Sequence, residues 1–270
     1  MAANQTDRAP RRVAVILGAG RSGRTLLELV LPLLAHDRDV EMQGVFLEEA
    51  ELQHAAELPF VKELCRVTFS VREFTSDQFE RALALRMRSA RQALAVLARR
   101  TGVLHSFRNI RGPVLRLLLE TATASDVMVF EPARVLAPPA SQAVRGRARP
   151  RRVVVAIGEP EAGRKALLVA TCLAEGDAGR IAVLVTPELA QNREGLATLF
   201  RGIPSEEPMR VRVVPAEAGV RGLVDAAYAE GAALFVAAAT DDLLQPPNLQ
   251  ILREKLRCPI CLVRRWGEAT

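Results

Sequence analysis

Aromatic side chains are scarce in this chain: one Trp, one Tyr and nine Phe make up 4% of 270 residues. That scarcity removes the stacking platforms used to hold single-stranded nucleic acid, and no arginine stripe interleaved with aromatics replaces them. Nucleic acid is therefore not an expected partner. Lysine is nearly missing too. Only Lys62, Lys165 and Lys255 among the 37 basic residues are lysine, the rest being arginine, and the excess over 31 acids gives a net charge of +6. Such a field favours a small anionic partner, or reflects compositional bias alone.

Cysteine and histidine are equally thin. Cys65, Cys172, Cys258 and Cys261 are too few and too scattered for a disulfide framework, which fits a reducing compartment. His36, His54 and His105 stand alone, outside any metal-binding spacing, and no G-x-S-x-G nucleophile elbow occurs. A hydrolase or metalloenzyme has no residues to build on, so no catalytic and no metal site is expected. The opening MAANQTDRAPRR lacks the apolar core of a signal peptide, and the run from Leu26 to Ala35 is interrupted by Glu28 and Pro32. The expected setting is cytoplasmic and away from membranes.

What is present is a globular composition, 49% apolar and 25% charged, in a length that accommodates two cores. It is also a repeat. RRVAVILGAGRSGRTLL (11–27) aligns without gaps on RRVVVAIGEPEAGRKAL (151–167), and eight of the seventeen positions are identical, Gly18/Gly158 and Gly23/Gly163 among them. Chance predicts roughly one or two. A second echo relates GPVLRLLLETATASDVMVF (112–130) to AGVRGLVDAAYAEGAALFV (218–236) by pattern.

Each unit alternates strand and helix. In the first, the continuous apolar run Val13–Leu17 predicts a strand buried on both faces. A helix over Ser22–Ala35 with Ser22 as its cap follows, then strand Val40–Leu47, helix Asp77–Arg100 capped by Ser76, strand Val103–Ile110, helix Pro113–Ala124 and strand Val127–Phe130. The second unit predicts strands at Val153–Ile157, Ile181–Val185, Val211–Val214, Ala233–Ala238 and Ile260–Arg264. Its helices fall at Ala162–Ala174, Leu189–Phe200, Val220–Glu230 and Leu249–Leu256. The fold class is α/β, with two tandem doubly wound, Rossmann-like parallel-sheet domains in three α/β/α layers. The expected division is 1–132, a Pro/Arg-rich linker over 133–150, and 151–270. No clear fifth strand follows Phe130, and the sequence leaves open whether 133–148 supplies one or it is absent. Arg145, Arg147 and Arg149 in the linker read as a solvated tether more readily than as a phosphate site.

The order of elements in both halves resembles the universal stress protein (UspA-like) family in its tandem form. The closing phrase LREKLRCPICLVRR (252–265) is similar to that family's last helix, Cys-Pro and apolar strand, and HSFRNIRGPVLRLLLETATASDVMVF (105–130) to its third strand, helix and fourth strand. The resemblance implies a five-stranded, adenine-nucleotide alpha hydrolase-like sandwich per domain and a stress-response or nucleotide-sensing role without a reaction. It also implies ATP or another adenine nucleotide as the ligand. ATP-binding members end the first strand in an aspartate, where this chain has Leu17–Gly18 and Ile157–Gly158. They carry a Gly-x2-Gly-x9-Gly-Ser/Thr loop after the fourth strand, where this chain has EPARVLAPP after Phe130 and AAATDDLLQPPN after Val236, both without glycine. The resemblance therefore implies a degenerate nucleotide site.

The sharpest local motif is GAGRSG, in which Gly18, Gly20 and Gly23 fit G-x-G-x-x-G between a strand and a helix, with Arg21 and Ser22 as added donors. Two alternatives stand: a phosphate loop for a small anionic nucleotide, or a Rossmann-type enzyme in which Glu48 or Glu49 accepts a ribose hydroxyl. The second unit keeps two of the three glycines but has Pro160 in place of Gly20, so Gly18 and Gly23 also fit a purely structural turn. Cys258-Pro-Ile-Cys261 runs into an apolar strand instead of a helix, which favours buried structural thiols over a redox pair. The long segment 48–76, with Leu58-Pro59-Phe60-Val61, is expected to cover its own domain or to meet a protein partner or second copy. The leading expectation is a non-enzymatic stress-response protein, and the other readings are the Rossmann-type enzyme and a ligand-free interaction scaffold.

Overall fold

The computed structural model describes residues 12–18, 23–35, 40–58, 62–64, 70–73, 75–133, 152–201, 203 and 209–264. The predicted linker beyond Ala133, Gly20, Arg21, Ser22, Pro59, Phe60 and Val61 lie outside the described residues.

The first unit runs β1 (Arg12–Leu17), α1 (Gly23–Leu29), α2 (Leu31–Leu34), β2 (Glu41–Glu49), α3 (Ala50–Glu57), β3 (Lys62–Leu64), β4 (Val71–Glu73), α4 (Ser76–Thr101), β5 (Leu104–Gly112), α5 (Val114–Ala124) and β6 (Val127–Phe130). The second runs β7 (Arg152–Ile157), α6 (Pro160–Leu173), β8 (Ile181–Val185), α7 (Pro187–Gln191), α8 (Arg193–Phe200), β9 (Arg210–Val213), α9 (Gly219–Ala229), β10 (Ala232–Ala238), α10 (Pro246–Lys255) and β11 (Ile260–Val263). Every predicted strand is present.

Nine strands form one sheet in the order β5-β2-β1-β6-β11-β10-β7-β8-β9, and β3 pairs antiparallel with β4 as a separate hairpin. The expected α/β class holds, with helices on both faces. Val13, Val15 and Leu17 of β1 point to one face with Leu26, Leu27, Leu94 and Leu97, while Ile16 points to the other with Val45, Leu118 and Met128. In the second unit Val153, Val155 and Ile157 face α6, and Val154 and Ala156 share a cluster with α9 and α10. Burial on both faces explains why these strands read as unbroken apolar runs. Phe46, Phe130 and Phe235 are fully buried, each contributing on the order of 2 kcal/mol. Among the described residues no helix is long and apolar enough to cross a membrane.

The seam between the units is a strand pair. β11 lies antiparallel to β6 with Ile260 opposite Phe130 and Val263 opposite Val127, whereas the other pairs of the large sheet are parallel. The place beside β6 that a fifth strand of the first unit would take is therefore held by the last strand of the second. All four residues of each strand are buried, so without this pairing β6 would present an apolar edge. Asp126 fastens one end of the seam. Its Oδ2 accepts from the Arg12 backbone N–H at 3.0 Å, its carbonyl accepts from the Arg264 N–H at 2.7 Å, and its Oδ1 lies 3.6 Å from Arg264 Nη2.

Local expectations change in three places. The helix expected over Ser22–Ala35 is broken at Val30, because Pro32 in the first turn of α2 has no N–H to continue the ladder. The cap of α4 is Thr75 and not Ser76: Thr75 Oγ1 accepts from Gln78 N–H at 3.4 Å. The helix expected over Leu189–Phe200 becomes α7 and α8, since Asn192 leaves helical geometry and caps α8 through Gly195 N–H at 2.8 Å.

Candidate functional site

In a doubly wound sheet, ligands enter at the carboxyl ends of the strands, where the strand order reverses. Here that reversal falls at β1/β6 in the first unit and β7/β10 in the second.

At β7/β10 there is a crevice of about 220 Å³, bounded by Ile157–Gly158, Val185–Thr186 and the turn after β10. Its walls are chiefly apolar. Among the described residues its charged lining is Glu159 and Asp242, with no Lys or Arg. Both threonine hydroxyls are committed to helix or turn starts: Thr186 Oγ1 accepts from Leu189 N–H and Thr240 Oγ1 from Leu243 N–H, each at 3.3 Å. Pro160 occupies the first turn of α6, which removes a backbone donor from the helix end nearest β7. A polyphosphate would meet two carboxylates and no cation there.

Near β1/β6 a residue of the second unit makes two contacts with the first. Arg253 of α10 reaches across from the second unit. Its carbonyl accepts from Ala133 N–H at 2.7 Å, just after β6, and its Nη2 lies 3.2 Å from both Glu49 oxygens at the end of β2. Since β1 lies between β2 and β6, this one residue touches the end of one neighbour of β1 and the segment just after the other. Glu48 is also engaged, its Oε1 accepting from Asn109 Nδ2 at 2.6 Å. The two acids expected to offer a ribose acceptor are thus both held by other side chains. Sequence reasoning missed Arg253, and the missing fifth strand after Phe130 was the signal that another segment would cover this end.

Of the GAGRSG residues, Gly18 and Gly23 are described, and both border a groove between α1 and α4. The repeated glycine has a packing role that is sharp in only one copy. A Cβ at Gly163 would lie well inside van der Waals contact distance of the Ile157 methyl Cγ2, so α6 can approach β7 this closely only with glycine there. At Gly23 the nearest atom to such a Cβ is Leu17 Cδ2 at 3.4 Å, an ordinary contact. A Cβ at Gly158 would meet nothing within 4 Å, and the residue sits at the exposed end of β7.

Cys258 and Cys261 are buried free thiols flanking the entry to β11. Burial pushes both up from the usual thiol range, Cys258 to about 12, which keeps them protonated and chemically quiet. His54 and His105 are exposed, on α3 and on the edge strand β5. Leu58 is 60% exposed at the end of α3.

No family model matches the sequence, and no curated protein matches it. Among solved structures, a universal stress protein from Archaeoglobus fulgidus DSM 4304 is similar at 10% identity and a TM-score of 0.49, over 98% of this chain and 100% of that one. At that level the likeness assigns no role to any residue of this chain.

Proposed function

We propose that this protein is a non-enzymatic regulator of the universal stress type, acting in the cytoplasm, in which neither unit retains an adenine-nucleotide site. The observation that carries this reading is Arg253. Its side chain holds Glu49 at the end of β2 and its carbonyl holds Ala133 beyond β6, so groups of the second unit crowd the β1/β6 switch point. The second crevice supports the same reading through its two carboxylates, its lack of a lining cation and the proline in the first turn of α6. The enzyme reading loses support because Glu48 and Glu49 are both engaged and no nucleophile and base are paired at either crevice among the described residues.

Native mass spectrometry of freshly purified protein tests this. The expected spectrum contains the polypeptide without a co-purified nucleotide, whatever its assembly state. A stoichiometric mass increment of an adenine nucleotide would refute the reading.

A further inference from the structure

A groove of about 500 Å³ runs between α1 and α4, starting at Leu17 and Gly18 beside the carboxyl end of β1 and extending along α4 to Arg100. Its α4 wall is a single face of the helix, with Arg86, Ala90, Ala93, Leu97 and Arg100 at spacings of four, three, four and three. Arg86 and Arg100 are fourteen residues apart on the helix, hence roughly 20 Å along its axis. Alanines between them deepen the groove, and Leu27 of α1 with Leu97 gives it an apolar floor. Arg24 and Glu28 form the opposite rim, paired at 2.9 Å with 82% and 48% of their side-chain surfaces exposed. A pair so open to water is weak and leaves the Arg24 guanidinium available to a ligand. Among the described residues three arginines and one glutamate line the groove, which makes that lining net positive. Val96 remains 43% exposed at the rim.

We propose that this groove binds an amphipathic anion: a linear alkyl chain along the Leu27/Ala93/Leu97 wall, with its acidic headgroup on Arg24 or Arg100. The volume is that of a small-molecule site. A bare inorganic anion is not the preferred ligand, because it would leave the half-buried Ala93 and the 43% exposed Val96 uncovered. The arginines exclude a cationic amphiphile. Among the described residues no aromatic side chain lines the groove, so a stacked nucleobase finds no platform on them.

Isothermal titration calorimetry with dodecyl phosphate, sodium dodecanoate, dodecyltrimethylammonium and inorganic phosphate, all below micelle formation, tests the proposal. Saturable binding near one per chain is expected for dodecyl phosphate, dodecanoate or both, and the preferred headgroup separates a phosphate-type lipid source from a free-acid source. Arg24→Glu with Arg100→Glu changes two exposed positions, so the fold is retained, and weakens binding at least about tenfold. Ala93→Leu, which keeps the charge and fills the floor, weakens it as well. Equal binding of the cationic amphiphile, inorganic phosphate binding as tightly as dodecyl phosphate, unchanged affinity in both variants, or no binding of either anionic amphiphile would each overturn the proposal.

Discussion

The Nη2 of Arg253 lies 3.2 Å from both carboxylate oxygens of Glu49, joining α10 of the second unit to the end of β2 in the first, 204 residues earlier. Both side chains are about three-quarters buried, at 21% and 26% exposure. Removing either one leaves a poorly solvated charge behind. Arg253→Met and Glu49→Gln are each expected to lower unfolding free energy by about 1–3 kcal/mol, with a coupling of about 1 kcal/mol in the double-mutant cycle. Urea denaturation measures this. Additive effects would mean that the pair does not fasten the units.

The repeated glycines separate by their neighbours. Gly163→Ala forces a methyl group onto Ile157 and is expected to cost about 2–3 kcal/mol. Gly23→Ala meets only an ordinary contact with Leu17 at the start of a helix, and should be neutral or stabilising by up to about 1 kcal/mol. Thermal melts of the two variants decide, and equal losses would contradict this difference in packing.

The same contrast marks how far the sequence could be read. Runs such as Val13–Leu17 and Ile181–Val185 announce their strands because both faces are buried, a property local to the run. The recurrence of Gly18 and Gly23 in the second unit likewise points to a structural turn from the sequence alone. The β6–β11 pair was hidden, because Ile260–Val263 has the same apolar pattern whether its second neighbour is parallel, antiparallel or absent. The fates of Glu48 and Glu49 were hidden for a related reason. Their partners, Asn109 and Arg253, are distant in sequence and reach them only once the sheet is assembled.

Glu230 should be the most sensitive charge in the second unit. Its side chain is 4% exposed and faces three arginines: Arg152 at 2.8 Å, and Arg210 and Arg212 of the edge strand β9 at 3.4 Å. Glu230→Ala leaves the largely buried Arg152 without its counter-charge, and is expected to cost about 3–5 kcal/mol. Hydrogen exchange should show β9 loosening first. Retained protection there would show that the cluster does not hold the edge.

The buried thiols predict an alkaline weakness. Cys258 titrates near 12 when folded, against 9.0 for a free thiol, and Cys261 is raised by burial too. Between these values the unfolded chain releases protons that the folded chain retains. Stability is therefore intact below about pH 9 and falls as pH rises, by about 1.4 kcal/mol per unit for each such thiol. Cys258→Ser with Cys261→Ala should flatten that fall relative to wild type. Iodoacetamide should leave both thiols unmodified at neutral pH until the protein is unfolded.

Both carboxyl-end crevices are proposed to reject adenine nucleotides, the first because Arg253 crowds the β1/β6 switch point and the second because its charged lining is acidic. Isothermal titration of ATP, with and without magnesium, into the intact protein is the decisive measurement. No saturable heat is expected at millimolar ATP in wild type. A saturable isotherm that is abolished by blocking the β7/β10 crevice with Gly158→Trp would contradict the proposal.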